Sequence, residues 1–471
     1  MRYLIVVMLI ILSQTGKGQD TISYKKFAAQ GLRRDLDSMY YQLQANHPDI
    51  YATWSKAGAD KAFWKLRSSV KDSMNRLELT RLVSPFIARF QDAHTFVDVS
   101  FENEDIELYA SQGGRFFPLG VAIIGDKLYC HNTSFIATDL AKGDEITHIN
   151  GVRSNEIISE LTGLWSADGK ENAMATTQRL FSYSLWIRYG WGNHTSITVS
   201  REGSTKTLML EGLDKESFLN LTFNVGGITR DLHIYPDYKL AVFEINSYGN
   251  VKATNRFVDS CFRVISKMDI KHIVLDLRKN GGGNSYIGDY FLAHINRKPY
   301  STIRSKRWRL GPILSSLKSG DFLYSIVERD KKTYKSDGEF LQSADFQPSN
   351  AAALEDSTLY MEGINLYLFT SARTYSSAHM TALAVKCGQL GTIIGQPTGE
   401  RLDLTGELVE YELPHSKLKI VIPTASYKTA CGYGKQIGVT PDYLIPLSEE
   451  DLKQDRDAEL EFLKKLIKTG K

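Results

Sequence analysis

The string Thr370-Ser371-Ala372-Arg373-Thr374-Tyr375-Ser376-Ser377-Ala378-His379 gathers hydroxyls, a guanidinium and an imidazole into one short stretch. The residues on either side read as a strand, Leu366 to Thr370, and a helix from about Ser376 to Cys387. Ser376 then stands at a helix N-terminus, where free N–H groups and the helix dipole favour a developing oxyanion. The same position also suits an ordinary N-cap, and the local pattern leaves both readings open. A second string, Asp276-Leu277-Arg278-Lys279-Asn280-Gly281-Gly282-Gly283-Asn284, ends a buried strand in charged residues and three glycines. Glycines there let backbone N–H groups approach a ligand closely, at the edge where open α/β sheets bind ligands. A plain turn between strand and helix is the alternative.

Other chemistries find no support. No HExxH, Walker loop or dinucleotide fingerprint occurs, and no Lys-Ser or Lys-Thr follows the three glycines. The ten histidines are scattered and suggest no metal cluster. Lys plus Arg number 57 and Asp plus Glu 54, so a net charge of +3 gives no basic field for nucleic acid. Cys130, Cys261, Cys387 and Cys431 include no CxxC pair, which argues against structural zinc. One or two disulfides could form if the compartment is oxidising.

The elements that position the two strings follow from hydrophobic pattern. The chain of 471 residues is long enough for several domains. Met1-Arg2, the apolar run Tyr3 to Leu12 and the small residues near Gly18 read as a signal peptide over 1–18. The mature protein is therefore expected to be secreted or periplasmic. No later stretch is long and apolar enough to span a bilayer. Residues 19–105 read as a helical domain, with Leu32, Leu36, Met39 and Leu43 at helical spacing. Residues 106–225 read as short strands. Residues 226–450 alternate strand and helix, which predicts a mainly parallel sheet, with 297–355 as an insertion over one face. Ser448 with the acidic residues after it opens one terminal helix over 451–471. The fold class is multidomain α+β.

Taken together, these segments resemble the family of C-terminal-processing peptidases and tricorn-core proteases. The two strings above carry the resemblance. So do Gly143-Asp144-Glu145-Ile146-Thr147-His148-Ile149-Asn150-Gly151, which is similar to a PDZ-domain string, and Gly395-Gln396-Pro397-Thr398-Gly399 and Ile437-Gly438-Val439-Thr440-Pro441-Asp442. The resemblance implies a helical N-terminal region, a PDZ-like domain and a ClpP/crotonase-like core. It implies a serine peptidase with Ser376 as nucleophile. Processing members pair the serine with a lysine 25 residues on, but that count reaches Arg401, which cannot act as a base. Tricorn-type members use a histidine in a string like Asp92-Ala93-His94-Thr95, which makes His94 the base, expected within hydrogen-bond reach of Ser376. His379 is a rival, standing where many relatives carry glutamate. Gly282 and Ser377 amides are the implied oxyanion donors, and Glu400 and Asp442 are candidates to orient the base. The substrate would be an extended polypeptide, its C-terminus a candidate handle for the PDZ-like domain, with no cofactor or metal. A non-catalytic peptide- or small-ligand-binding protein on the same core is the alternative. The sequence carries no signal for oligomeric state.

Overall fold

The structure, a computed structural model, describes residues 22–99, 104–136, 139–224, 229–349 and 352–470. The expected signal peptide, 1–18, lies outside them. No helix among the described residues is long and apolar enough to cross a membrane. The described strands form three six-stranded sheets.

Helices Ala29–Asn46, Lys56–Ser69 and Arg76–Ala88 open the chain. Leu32, Leu36, Met39 and Leu43 make a fully buried stripe on the first. The third starts from a capping box in which the Asn75 side chain accepts from the Glu78 amide and Glu78 accepts from the Asn75 amide. Gln91, in the left-handed region at φ 51°, then turns the chain out of helix. Phe96–Val97 follows and pairs antiparallel with Ile420 and Val421.

That pairing joins the helices to a sheet built on the hairpin Leu404–Glu412 and Lys419–Thr429. Ile303–Arg309 pairs along the other edge of Lys419–Thr429, and Phe340–Gln342 beside it. The 297–355 segment, expected as an insertion over one face of the core, is woven into this sheet. It supplies three strands of this sheet, Ile303–Arg309, Lys335–Ser336 and Phe340–Gln342, and its buried Trp308 and Leu341 share one apolar cluster with Leu36, Phe63 and Phe86 of the helices.

The second sheet is antiparallel, in the order Gly120–Ile124, Lys127–Asn132, Glu145–Ile149, His194–Arg201, Ser204–Glu211. Asn150 and Gly151, both at positive φ (49° and 79°), make the tight turn that the Asn-Gly pair predicts. Three helices, Ser154–Thr162, Lys170–Arg179 and Phe181–Tyr189, lie between Glu145–Ile149 and His194–Arg201.

The third sheet holds the two strings singled out in the sequence. Its order is Tyr443–Leu444, Thr392–Gly395, Asn365–Thr370, His272–Asp276, Leu240–Ile245, Arg230–Tyr235. All neighbouring pairs are parallel except the last. Asp276 stands beside Phe369 in the register. Parallel pairing thus brings the loops that leave both strands out at the same end of the sheet. At the carboxyl end of the chain, the single helix expected over 451–471 is broken. Glu449–Lys453 and Ala458–Thr469 are separate helices, because Asp455 is left-handed and Asp457 caps the second through the Leu460 amide.

Candidate active site

The turn after Thr370 is stitched to the loop after Asp276. Ser371 Oγ donates to the Arg278 carbonyl at 2.6 Å and Thr374 Oγ1 to the Leu277 carbonyl at 2.8 Å. Ser376 closes the turn at φ 55°, ψ −128°, a conformation that L residues rarely adopt and that costs about 1–3 kcal/mol. The helix Ser377–Gly388 begins at the next residue, yet the Ser376 side chain makes no capping hydrogen bond. The ordinary N-cap role is therefore unfilled, and the hydroxyl sits at the helix N-terminus without that employment.

The glycine run lies against this turn. Gly282 is at φ +98°, and a Cβ on it would come within 2.6 Å of Ser376 Cβ and 2.9 Å of the Tyr375 carbonyl. Only a residue without a side chain lets the two loops approach so closely. The Gly282 amide, however, donates to Asn280 Oδ1 at 2.8 Å, so in this conformation it is not free to meet an oxyanion. The backbone bonds among the described residues engage neither the Ser377 nor the Gly283 amide. Ser377 Oγ donates to the Gly283 carbonyl at 2.7 Å and fixes the start of the helix on the loop.

Arg278 meets the turn only through its backbone carbonyl. Its guanidinium is clamped between Asp276, Asp457 and Glu459 at 2.6–2.9 Å.

His94 arrives from the far side. Its amide donates to Asp92 Oδ1 at 2.8 Å, an Asx turn that aims the ring. His94 Nδ1 lies 3.0 Å from Glu400 Oε1, in a close ion pair that lacks hydrogen-bond alignment. The ring lies against Tyr375, centroids 4.5 Å apart. Glu400 Oε2 in turn accepts the Ser376 amide at 2.5 Å. Between the two candidates for orienting the base, Glu400 is the one in contact. Asp442 is occupied elsewhere, by Lys386 at 2.5 Å and the Ile393 amide at 2.8 Å. Among the described residues no hydrogen bond joins Ser376 Oγ to the His94 ring. The Glu400 carboxylate links them.

Burial would lower the His94 pKa, but Glu400, Asp92 and Asp168 around it outweigh burial and raise it. His379 is fully buried with its Nδ1 2.7 Å from Thr398 Oγ1 and its Nε2 without a partner. Burial lowers its pKa, with Glu400 opposing and His94 adding to the effect, so His379 is kept neutral.

Sequence reasoning missed the acids behind His94. Asp92 binds His47 Nε2 at 3.0 Å and accepts from Thr405 Oγ1. Burial pushes it up, but His47 and His94 prevail and hold it at about 2. Asp168 accepts the Arg401 amide at 2.9 Å and the Ala93 amide at 3.3 Å, and pairs with the Arg401 guanidinium. Burial, then Asp92 and Glu400, push Asp168 up to about 7. Arg401, the residue in the lysine position, is thus a strut. It ties the Glu400 loop to Asp168 and, through the Gln91 carbonyl at 2.9 Å, to the His94 turn. No group of described residues is arranged to hold a metal ion.

A cavity of about 1490 Å³ opens beside the turn, with Gly281, Gly282 and Tyr375 in its wall. It runs between the antiparallel sheet region and the parallel core, and includes Val121 and Trp165 on one side and Glu244 and Lys279 on the other.

Residues 239–445 match the model of peptidase family S41. No curated protein matches the chain. Mature CPAF complexed with lactacystin is a similar solved structure, at 13% identity and a TM-score of 0.66, covering 94% of this chain and 98% of that one. A second structure of mature CPAF gives 14% identity, a TM-score of 0.65, and 93% and 97% coverage. At such identities the likeness is one of fold.

Proposed function

We propose that this chain, a serine-type peptidase built on a family S41 core, cleaves extended polypeptides through an acyl-enzyme on Ser376. His94 serves as general base and Glu400 orients it. The observation that carries the reading is the strained Ser376, whose amide is held by the same carboxylate that lies against His94.

In this mechanism Ser376 Oγ attacks the substrate carbonyl while His94 Nε2 takes the hydroxyl proton. Glu400 against Nδ1 favours the tautomer with its proton there, and steadies the imidazolium that forms. The oxyanion meets the Ser377 amide and an amide of the glycine run next to Gly282. His94 then returns the proton to the leaving amine, and water releases the acyl group by the reverse exchange. The apo separation of base and nucleophile closes when substrate enters.

The middle region, with its Asn150-Gly151 turn and following helix, we read as a PDZ-like module that presents the polypeptide to the cleft. We place the protein in a secreted or periplasmic compartment. The apolar leader supports this, and so does the bond between Cys387, on the nucleophile's helix, and Cys431, since such bonds persist where the environment is oxidising. Lactacystin, which CPAF binds in its complex, is a candidate ligand of this cleft.

The test is digestion of an unfolded protein by the mature chain and by Ser376→Ala. The variant should lose roughly 10⁶-fold in kcat with its fold intact. Retained hydrolysis in that variant, or none in the parent, would remove the reading and favour a binding protein on the same core.

A further inference from the structure

We infer that Arg179 and Arg373 form a subsite of the cleft for a carboxylate of the substrate polypeptide, close to the bond that Ser376 cuts. The inference rests on the peptidase reading and gives it a substrate class.

Both arginines line the cavity that reaches the nucleophile's turn. Arg179 ends the helix Lys170–Arg179 and is exposed to the cavity, while Arg373 lies in the turn before Ser376 and is half-buried. Among the described residues neither guanidinium makes an ion pair with a carboxylate. Two guanidiniums that line one cavity, with no carboxylate partner among the described residues, leave a positive site for an anion to fill. Carboxylates in the same wall do not serve. Glu244 holds Lys279 at 3.1 Å, Asp231 lies 3.6 Å from His233, and Asp98 faces Lys419 and Glu410.

The pair is held in place from both sides. Asn172, seven residues before Arg179 and so on the same helix face, donates to the Ala372 carbonyl at 2.9 Å. That bond docks Arg179's helix on the turn that carries Arg373. A Cβ on Gly399 would come within 2.2 Å of the Ala372 carbonyl and 2.4 Å of Asn172 Nδ2, so the docking is tight. At the other end, Gln178 Oε1 accepts the Ile123 amide at 2.8 Å.

The distance to the chemistry follows from chain geometry. Arg373 precedes Ser376 by three residues, so their Cα atoms are at most about 11 Å apart. An extended substrate rises roughly 3.3 Å per residue. With the reach of an arginine side chain added, the bound carboxylate falls within roughly six residues of the scissile bond. Planar guanidiniums bind carboxylates in paired hydrogen bonds, which suits either a C-terminal carboxylate or an Asp or Glu side chain at that range.

The test uses full-length mature Ser376→Ala protein and matched fluorescent hexapeptides, read by anisotropy. The peptides differ only in charge, with free acid or amide at the C-terminus and Glu or Gln inside. Acidic members should bind roughly tenfold or more tightly than their neutral partners, and the gap should shrink with salt. Adding Arg179→Gln or Arg373→Gln should remove the gap while neutral peptides bind as before, and Arg373→Lys should keep part of it. A gap that follows the terminal group identifies a chain end, and one that follows Glu identifies a side chain. Equal binding of acidic and neutral peptides, a gap that survives both substitutions, or variants that lose neutral peptides equally would each overturn the inference. Hydrolysis by the serine-containing protein is scored separately. Cleavage without charge preference removes this subsite and leaves the peptidase. Charge-dependent binding without cleavage does the reverse.

Discussion

Glu400 Oε1 lies 3.0 Å from His94 Nδ1, with both side chains sealed from solvent at 0% and 2% exposure. Its other oxygen accepts the Ser376 amide at 2.5 Å. One carboxylate thus holds the proposed base and the backbone of the proposed nucleophile together, across loops far apart in the chain. Replacing it with Gln keeps the acceptor for the Ser376 amide but turns an amide group toward Nδ1. That favours the wrong tautomer, so Glu400→Gln should lower kcat by roughly 10³–10⁴ with little change in KM. A loss in KM alone would mean that Glu400 serves only to shape the cleft.

The raised His94 pKa has a direction in kinetics. The base works only when neutral, so the acid limb of kcat/KM should fall above the ordinary histidine value of about 6.5. In Glu400→Gln the limb should move to lower pH, because the largest opposing charge has gone. A pH-rate profile on a small peptide reads both. An acid limb that ignores this substitution would detach Glu400 from the base.

Asp168 should mark the stability curve. Its folded value of about 7 lies above the ~3.9 of an unfolded aspartate. Its contribution to stability is therefore full below ~3.9 and lost as pH rises through about 7. The stability of the parent relative to Asp168→Asn should fall between about pH 4 and 7 and level off above that, measured as denaturant midpoints. A difference that is flat over that range would show the carboxyl ionised throughout.

The choice of base separates two histidines. His94→Ala should cost about 10³-fold or more in kcat. His379→Ala should act through stability, because it empties a buried site and leaves the Thr398 hydroxyl with only the Val439 amide. Thermal melts and kcat on the same preparations divide the two effects. Equal, mild kinetic losses in both variants would sink the assignment of His94.

Gly282→Ala probes the approach of the two loops. At φ +98°, with Ser376 Cβ 2.6 Å from the added methyl, it should destabilise by more than ~1 kcal/mol and abolish turnover. Gly281→Ala meets nothing within 4 Å and should change stability by no more than about 0.5 kcal/mol. Matching behaviour of the two variants would show that the loop gives way.

Much of this arrangement is legible in residues. The buried strand His272–Asp276 and the polar turn before Ser376 announce themselves by pattern, since a parallel strand is apolar on both faces and a reactive turn is not. His94 emerges only by likeness to a family motif. Glu400 could not be told from Asp442, because proximity to His94 is made by folding and leaves no local trace. The helices Lys170–Arg179 and Phe181–Tyr189 are masked for a different reason. The first is polar almost throughout, and the second is aromatic-rich and buried on most sides, so neither shows a clean helical stripe. Asp168 stands just ahead of them, and its raised pKa needs Asp92 and Glu400 to converge on it from two other regions.

The central claim is that Ser376 is a nucleophile activated by His94, and a fluorophosphonate probe tests it most directly. The mature protein is treated with the probe, digested, and the modified residue located by mass spectrometry. The account predicts one label per chain, on Ser376, greatly slowed in His94→Ala and absent in Ser376→Ala. A label on Ser371 or Ser377, or an intact and folded protein that takes no label at all, would contradict it.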